Sequence, residues 1–146
     1  MSEKIKIKIR AEQGAELPAY ATPGSAGMDL RANNAAVIPA GKRAVIGTGL
    51  FVELPEGYEI QVRPRSGLAF RSGVTVLNSP GTVDSDYRGE IRVILLNTGD
   101  NDFAVERGDR IAQMVIAPVI QAEFIAVDEL EATERGEGGF GHTGTK

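Results

Sequence analysis

Short runs of apolar or alternating residues recur along the chain at intervals of roughly ten residues, a spacing typical of β-sandwiches and barrels. The predicted strands are Ile5–Ile9, Ala44–Leu54, Tyr58–Val62, Val74–Leu77, Ile91–Leu96, Arg110–Ile116 and Glu123–Val127. Turn-forming residues separate several of them, as at Pro55–Gly57, Ser79–Gly81 and Arg107–Asp109. The pattern predicts an all-β fold.

Helical periodicity is weak and predicts only two short helices, Ser66–Ser72, closed by Gly73, and Asp128–Glu134. Ser66 stands at the expected N-cap, where a hydroxyl and the next free amides can bind an anion. A plain helix cap explains Ser66 equally well.

Composition narrows the classes of function. A chain of 146 residues has room for one ordinary domain, and its apolar runs are too short to span a membrane. The segment Met1–Arg10 alternates charge with isoleucine and does not resemble a secretory signal, so we expect a cytoplasmic protein.

The net charge and the possible metal-ligating residues narrow the classes of function further. Without cysteine, and with His142 as the single histidine, the chain lacks the ligands of a zinc centre, so any metal should be a hard cation held by oxygen. A net charge of -4 argues against a broad nucleic-acid surface but leaves room for a small anionic ligand.

The segment Arg135–Lys146 combines many glycines with one arginine and one phenylalanine. Glycine allows backbone amides to approach a ligand, Arg135 matches phosphate, and Phe140 offers a flat face to a base. These residues suit a nucleotide lid, although a disordered terminus is the ordinary alternative. We therefore expect one β domain over residues 1–134 and a lid over residues 135–146.

Five segments contain more Gly, Asp and Arg than turns require: Ser25–Leu30, Pro64–Ala69, Asn78–Gly89, Gly108–Val115 and the tail. In sequence and in order they closely resemble the five motifs of the trimeric dUTP pyrophosphatases, and the resemblance covers nearly the whole chain. It implies a jelly-roll-like, distorted β-barrel subunit with a flexible C-terminal arm. It also implies a homotrimer whose three sites lie at subunit boundaries.

The implied reaction is hydrolysis of dUTP to dUMP and pyrophosphate with Mg²⁺. A dCTP deaminase of similar fold and a noncatalytic nucleotide-binding trimer are the alternatives. The Arg65–Gly67 segment continues with Leu-Ala, without the Arg/Glu-containing pattern expected of the deaminases. A scaffold would have no need to keep Asp84, Tyr87 and Gln113 together.

Asp84 is the predicted catalytic base, since a rigid turn carboxylate can orient and deprotonate water. A purely structural turn aspartate is the alternative, and we assign that role to Asp86. We expect the chain between Asn78 and Arg92 to form a β-hairpin whose backbone faces the edge of a base.

The resemblance assigns base recognition to the Asn78 side chain and to the backbone around Thr82, Val83 and Arg92. It places the Tyr87 ring beneath the sugar, where it would exclude a 2'-hydroxyl. An ordinary strand aromatic is the alternative for Tyr87.

Phosphate binding is expected from Arg65, Ser66, Gly67, Gln113 and Arg135. Surface or intersubunit roles are assigned to Arg63, Arg71 and Arg110. Asp29 is the candidate metal residue, acting through bound water, with a turn or packing role equally open.

In the tail, Phe140 is expected to stack on uracil, and the Phe140–Gly141–His142 segment departs from the family pattern. The family commonly has serine where this chain has His142. Histidine can also donate to phosphate, but a solvated side chain is the alternative.

Overall fold

The computed structural model describes residues 4–146. It contains ten strands and one helix: β1 (Lys8–Ala11), β2 (Met28–Arg31), β3 (Ala36–Ile38), β4 (Arg43–Glu53), β5 (Tyr58–Arg63), α1 (Ser66–Ser72), β6 (Val74–Val76), β7 (Gly81–Val83), β8 (Glu90–Asn97), β9 (Phe103–Val105) and β10 (Arg110–Pro118). The all-β prediction is confirmed. No helix within this part of the chain is long and apolar enough to cross a membrane.

Two four-stranded antiparallel sheets form the body of the protein, with strand orders β1-β4-β8-β6 and β2-β10-β5-β7. Strands β3 and β9 form a separate pair. Alternate residues of each main sheet are buried, as in β8, where Ile91, Val93 and Leu95 are inside. Burial of these branched side chains provides the main driving force for folding.

A bulge interrupts the long strand β4. Its pairing with β8 shifts register between Gly47 and Phe51. Gly49 lies within this bulge with φ of +70°, a conformation that L side chains rarely adopt. The bulge faces the start of β8, close to the predicted site residues.

The strands predicted from longer runs are present, some with different ends. The first strand is Lys8–Ala11 and not Ile5–Ile9, because only this segment pairs with β4. The predicted strand Glu123–Val127 and helix Asp128–Glu134 are wrong: both segments are exposed and have no regular secondary structure. The apolar run at Phe124–Val127 lacks a pairing partner within the described chain.

The N-cap assignment of Ser66 is also wrong. Arg65 occupies the N-cap with extended backbone and makes no side-chain capping bond, so Ser66 is the first helical residue. The prediction that the helix ends before Gly73 is correct. Gly73 has φ of 67°, and its amide donates hydrogen bonds to the carbonyls of Leu68 and Ala69.

The expected hairpin between Asn78 and Arg92 does not form as a paired ladder. Strand β7 pairs with β5, while β8 pairs with β4 and β6 in the other sheet. The connection over residues 84–89 therefore crosses between the sheets. One turn within it is closed by the Tyr87 amide, which donates to the Asp84 carbonyl at 3.1 Å.

Candidate active site

The sheet β2-β10-β5-β7 brings several predicted phosphate-site residues onto one surface. Gln113 of β10 lies opposite Asp29 of β2 on one side and Arg63 of β5 on the other. Arg65 follows at the end of β5. Three of the five predicted segments therefore meet at one end of this sheet.

Asp29 connects two arginines at that end. Its Oδ1 lies 3.2 Å from Nε of Arg65, and its Oδ2 lies 3.8 Å from Nη1 of Arg110. Arg65 also donates from Nη1 to the Arg110 carbonyl at 3.4 Å. Arg110, to which sequence reasoning gave a surface or intersubunit role, thus belongs to this cluster. Its place in the Gly108–Val115 motif was the available signal.

Gln113 is oriented by the neighbouring loop. Its Nε2 donates to the Pro64 carbonyl at 3.0 Å, and a Cβ on Gly27 would lie 2.9 Å from its Oε1. Gly27 thus permits the close approach of β2 to the Gln113 amide. The result is a half-buried polar group beside Arg65.

At the start of α1 the Ser66 side chain makes no capping bond and is exposed. Gly67 leaves space that the Arg71 side chain fills, since an added Cβ would lie 2.5 Å from Nη2. The Ser66 side chain is therefore exposed next to Arg65, and the Arg71 side chain lies over Gly67.

A concavity of about 260 Å³ lies between β7 and the start of β8. It is lined by Val45, Thr82, Val83, Tyr87, Glu90, Ile91, Arg92 and Ile94. Strand β7 is an edge strand that pairs only with β5 in the described chain. One side of its backbone is thus available to hydrogen-bond with a flat ligand edge.

Asn78 lies three residues before Gly81, the first residue of β7. A Cβ on Gly81 would lie 3.4 Å from the Asn78 amide nitrogen. The side chain of Asn78 is exposed, so its amide group is accessible to a ligand.

Asp84 directly follows β7 and is exposed. Together with Glu56, Glu59 and Asp86 it lines another open concavity, which is acidic. The Asp84 carboxylate has no protein hydrogen-bond partner or ion pair among residues 4–146. Its oxygens are available to a water molecule.

The tail makes only local hydrogen bonds in the described chain. Arg135 Nε donates to the Gly138 carbonyl at 2.8 Å, and the amides of His142 and Gly144 donate to Gly139 and Gly141. Phe140 is fully exposed with φ of 50°. Arg135, Phe140, Gly141 and His142 are thus not brought to the other predicted residues by their own chain.

Residues 4–146 contain no group of three or more His, Cys, Asp or Glu side chains arranged to hold a metal ion. Asp29 contributes a single half-buried carboxylate beside the predicted phosphate residues. An oxygen donor of this kind suits Mg²⁺, which retains water and needs few protein ligands when phosphate is present.

Comparison with known proteins gives a consistent result. The dUTPase family model matches residues 13–144. The deoxyuridine 5'-triphosphate nucleotidohydrolase of Chlamydia pneumoniae is 63% identical over 144 residues, covering 96% of this chain and 99% of the relative.

Solved structures agree in fold. The dUTPase of Staphylococcus bacteriophage 80alpha with dUPNHPP has a TM-score of 0.88 at 27% identity, covering 97% of this chain and 99% of that one. A dUTPase mutant from phage phi11 of S. aureus, described with a structural Mg(II) ion, has a TM-score of 0.80 at 22% identity. It covers 88% of this chain and 100% of the phage chain.

Proposed function

Since the chain belongs to the dUTPase family, we propose that it is a dUTP diphosphatase, which hydrolyses dUTP to dUMP and pyrophosphate. The observation that carries this assignment is 63% identity to a named nucleotidohydrolase across almost the full length of both chains. By consuming dUTP, the reaction limits uracil incorporation into DNA and supplies dUMP for thymidylate synthesis.

The chemical step is attack of water on the α-phosphorus, with Asp84 as the general base. An exposed carboxylate without a competing protein partner can orient water and accept its proton. Asp84 directly follows β7, whose edge is proposed to hold the base, so the proposed general base and the proposed base-binding strand are adjacent in the chain.

Recognition of uracil is assigned to the free edge of β7, through the backbone of Thr82 and Val83, with the Asn78 side chain and the Arg92 backbone. Cytosine reverses the hydrogen-bonding pattern at two neighbouring positions, so it would leave buried polar groups unpaired. Such a mismatch can discriminate by about 10⁴-fold. The Tyr87 ring lies in the same concavity and would exclude a 2'-hydroxyl.

Phosphate binding is assigned to Arg65, Ser66, Gly67 and Gln113, which lie together, and to Arg135 from the tail. Charge-assisted hydrogen bonds from arginine and accessible amides are suited to a triphosphate. In the closed tail, Phe140 would stack on uracil, and Gly141 and His142 would approach the phosphates. Closure of such a lid excludes water other than the nucleophile.

Mg²⁺ would be held mainly by the triphosphate, with Asp29 contacting it through bound water. When bound, the ion supplies neutralisation of phosphate charge. Arg65 and Arg110 keep the Asp29 carboxylate at the edge of the phosphate-binding surface.

We further propose a homotrimer of jelly-roll-like subunits with shared sites. The phosphate cluster, the edge of β7 and the tail are separate parts of one chain, and within the described residues the tail makes only local hydrogen bonds. Residues 1–134 would form the β domain and residues 135–146 a flexible arm over the nucleotide. A cytoplasmic location and the absence of nucleic-acid binding stay predictions.

The test is incubation of the purified protein with dUTP, dCTP or UTP in the presence of Mg²⁺, followed by separation of products. We expect dUMP and pyrophosphate from dUTP, with little reaction of the other two nucleotides. Ammonia from dCTP would instead identify a deaminase. Binding without any product would identify a noncatalytic protein.

A further inference from the structure

The ring of Tyr87 is held in place by a hydrogen bond to a nearby residue of the same segment. Its hydroxyl donates to the backbone carbonyl of Glu90 at 2.8 Å. A Cβ on Gly89 would lie 2.4 Å from the Tyr87 Oη and 2.5 Å from Cζ, so the ring occupies space that only glycine leaves free. Tyr87 is otherwise 40% exposed, and this hydroxyl bond is the restraint on its outer end.

The side chain of Glu90 is anchored to the bulge of β4. Its Oε2 accepts a hydrogen bond from the Gly49 amide at 2.9 Å. Because Gly49 is buried, this charge-assisted bond satisfies a donor that would otherwise be costly to leave unpaired. A Cβ added to Gly47 would lie only 2.5 Å from the Glu90 Oε2, so the carboxylate occupies space that glycine leaves open.

The bulge itself is hydrogen-bonded to β8 and to Glu12, the residue that follows β1. Thr48 Oγ1 donates to the Ile91 carbonyl at 2.6 Å, and the Gly49 carbonyl accepts from the Glu12 amide at 2.8 Å. Opposite the bulge, the consecutive carbonyls of Glu90 and Ile91 thus both accept side-chain hydroxyls. These hydrogen bonds fix the position of the start of β8 relative to the bulge.

We propose that Glu90 is a positioning residue for sugar discrimination. Its carboxylate fixes the start of β8 against the β4 bulge, and its carbonyl fixes the Tyr87 hydroxyl. The inference rests on the proposed function, in which the Tyr87 ring excludes a 2'-hydroxyl. A ring that can tilt away would admit UTP, so Glu90 acts on selectivity through Tyr87.

The measurement is the ratio of kcat/KM for dUTP to kcat/KM for UTP. Glu90→Ala should lower this ratio about tenfold, since small misplacements of a positioning group have effects of this size or larger. Glu90→Gln should stay close to the parent, because the amide oxygen can still accept from Gly49. The matched control is Glu106→Ala, which removes an exposed carboxylate on the loop before β10.

Two further variants test the route of the effect. Gly47→Ala should also lower the ratio, because the new Cβ displaces the Glu90 carboxylate from Gly49, and Gly47 does not have a positive φ that alanine would resist. In a Tyr87→Phe background, Glu90→Ala should have little additional effect, since the bond through which it acts is already absent. Thermal unfolding checks that each variant is folded. If Glu90→Ala does not fold, the ratio measured for Gly47→Ala tests the role of Glu90 in its place.

Tyr87→Ala separates failure of this inference from failure of the sugar assignment. If Tyr87→Ala lowers the ratio while folded Glu90→Ala and Gly47→Ala leave it unchanged, the role of Glu90 is wrong and the sugar assignment stands. If Tyr87→Ala leaves the ratio unchanged, another residue excludes UTP, and both the assignment of Tyr87 and the role of Glu90 are wrong.

Discussion

Arg65 and Asp29 form an ion pair, with 3.2 Å between Nε and Oδ1. Asp29 lies in β2 and Arg65 lies just after β5, so the pair connects two parts of the sheet that β10 separates. Both side chains are about two-thirds buried, with relative exposures of 28% and 31%. The pair brings a predicted phosphate ligand and a predicted metal residue together. A carboxylate in this position can contact a hydrated cation next to a guanidinium that can bind phosphate.

Asp29→Asn should weaken the apparent affinity for Mg²⁺ by roughly tenfold, as loss of a hydrogen-bonding group around a metal commonly does. Binding of dUTP without Mg²⁺ should not weaken, because Arg65 remains charged. Activity measured against Mg²⁺ concentration checks the first statement, and calorimetry with EDTA checks the second. Exposed Asp102→Asn is the control. A Mg²⁺ dependence identical to that of the parent would assign Asp29 a packing role.

Asp84→Asn should lower turnover by roughly 10² or more, because the amide keeps the shape of the side chain but cannot accept the proton. Binding of the analogue dUPNHPP should survive, which calorimetry can establish. Asp86→Asn, two residues further in the same loop, is the matched control and should remain active. Turnover of Asp84→Asn within a few-fold of the parent would remove Asp84 as the base.

Sequence reasoning predicted the long strands from their apolar or alternating runs, and in β8 the buried positions do alternate. It missed three strands of three or four residues, β2, β3 and β9, which are too short to show a period, and it expected the β7 segment only as part of a hairpin. It predicted a strand at Glu123–Val127 because the local pattern is apolar, but a strand also needs a partner. Local pattern determines which segments can be extended, and pairing determines which of them are strands.

The same distinction applies to the site. The motifs identified Asp29, Arg65 and Gln113, which the fold brings together, but not Arg110 as a partner of Asp29. The expected hairpin was wrong because a turn signal between two apolar runs does not specify that the runs pair with each other. Here each pairs with a different sheet.

Asn97→Ala should lower the free energy of unfolding by about 3 kcal/mol, since it leaves several polar groups in and near the core unpaired. Asn97 is fully buried and donates from Nδ2 to the carbonyls of Ile38 and Asn101, while its Oδ1 accepts from the Gly99 amide. Urea unfolding measures the change. Asn101→Ala is the control, because Asn101 contributes only its backbone carbonyl and is exposed. Equal stabilities of the two variants would contradict a central role for Asn97.

His142→Ser tests the position at which the tail departs from the family pattern. If the tail closes on the nucleotide, the imidazole can donate a hydrogen bond to a phosphate oxygen, and a serine hydroxyl can do the same. His142→Ser should therefore keep the affinity for dUPNHPP close to that of the parent, whereas His142→Ala should weaken it several-fold because the donor is removed. The measurement is calorimetric titration of each protein with dUPNHPP. An affinity of His142→Ala equal to that of the parent would mean that His142 stays in solvent.

The proposal of shared sites is tested with two inactive variants. Deletion of residues 135–146 removes a phosphate cation and the base-stacking ring, and the tail makes only local hydrogen bonds, so the truncated protein should fold and form trimers. Asp84→Asn should be inactive for a different reason, since it keeps its tail but lacks the base. The two proteins are given different affinity tags, unfolded and refolded together, and the trimers that carry both tags are purified.

Some sites in these mixed trimers would combine an intact Asp84 loop from one chain with an intact tail from another. If the tail closes over a neighbouring subunit, such sites should hydrolyse dUTP although neither parent does. If the tail closes over its own subunit, every site lacks either the base or the lid, because no chain carries both. Trimers of each variant refolded alone provide the background rate. Mixed trimers with no activity above that background would therefore mean that the tail does not complete a neighbour's site, and the shared-site arrangement would be wrong.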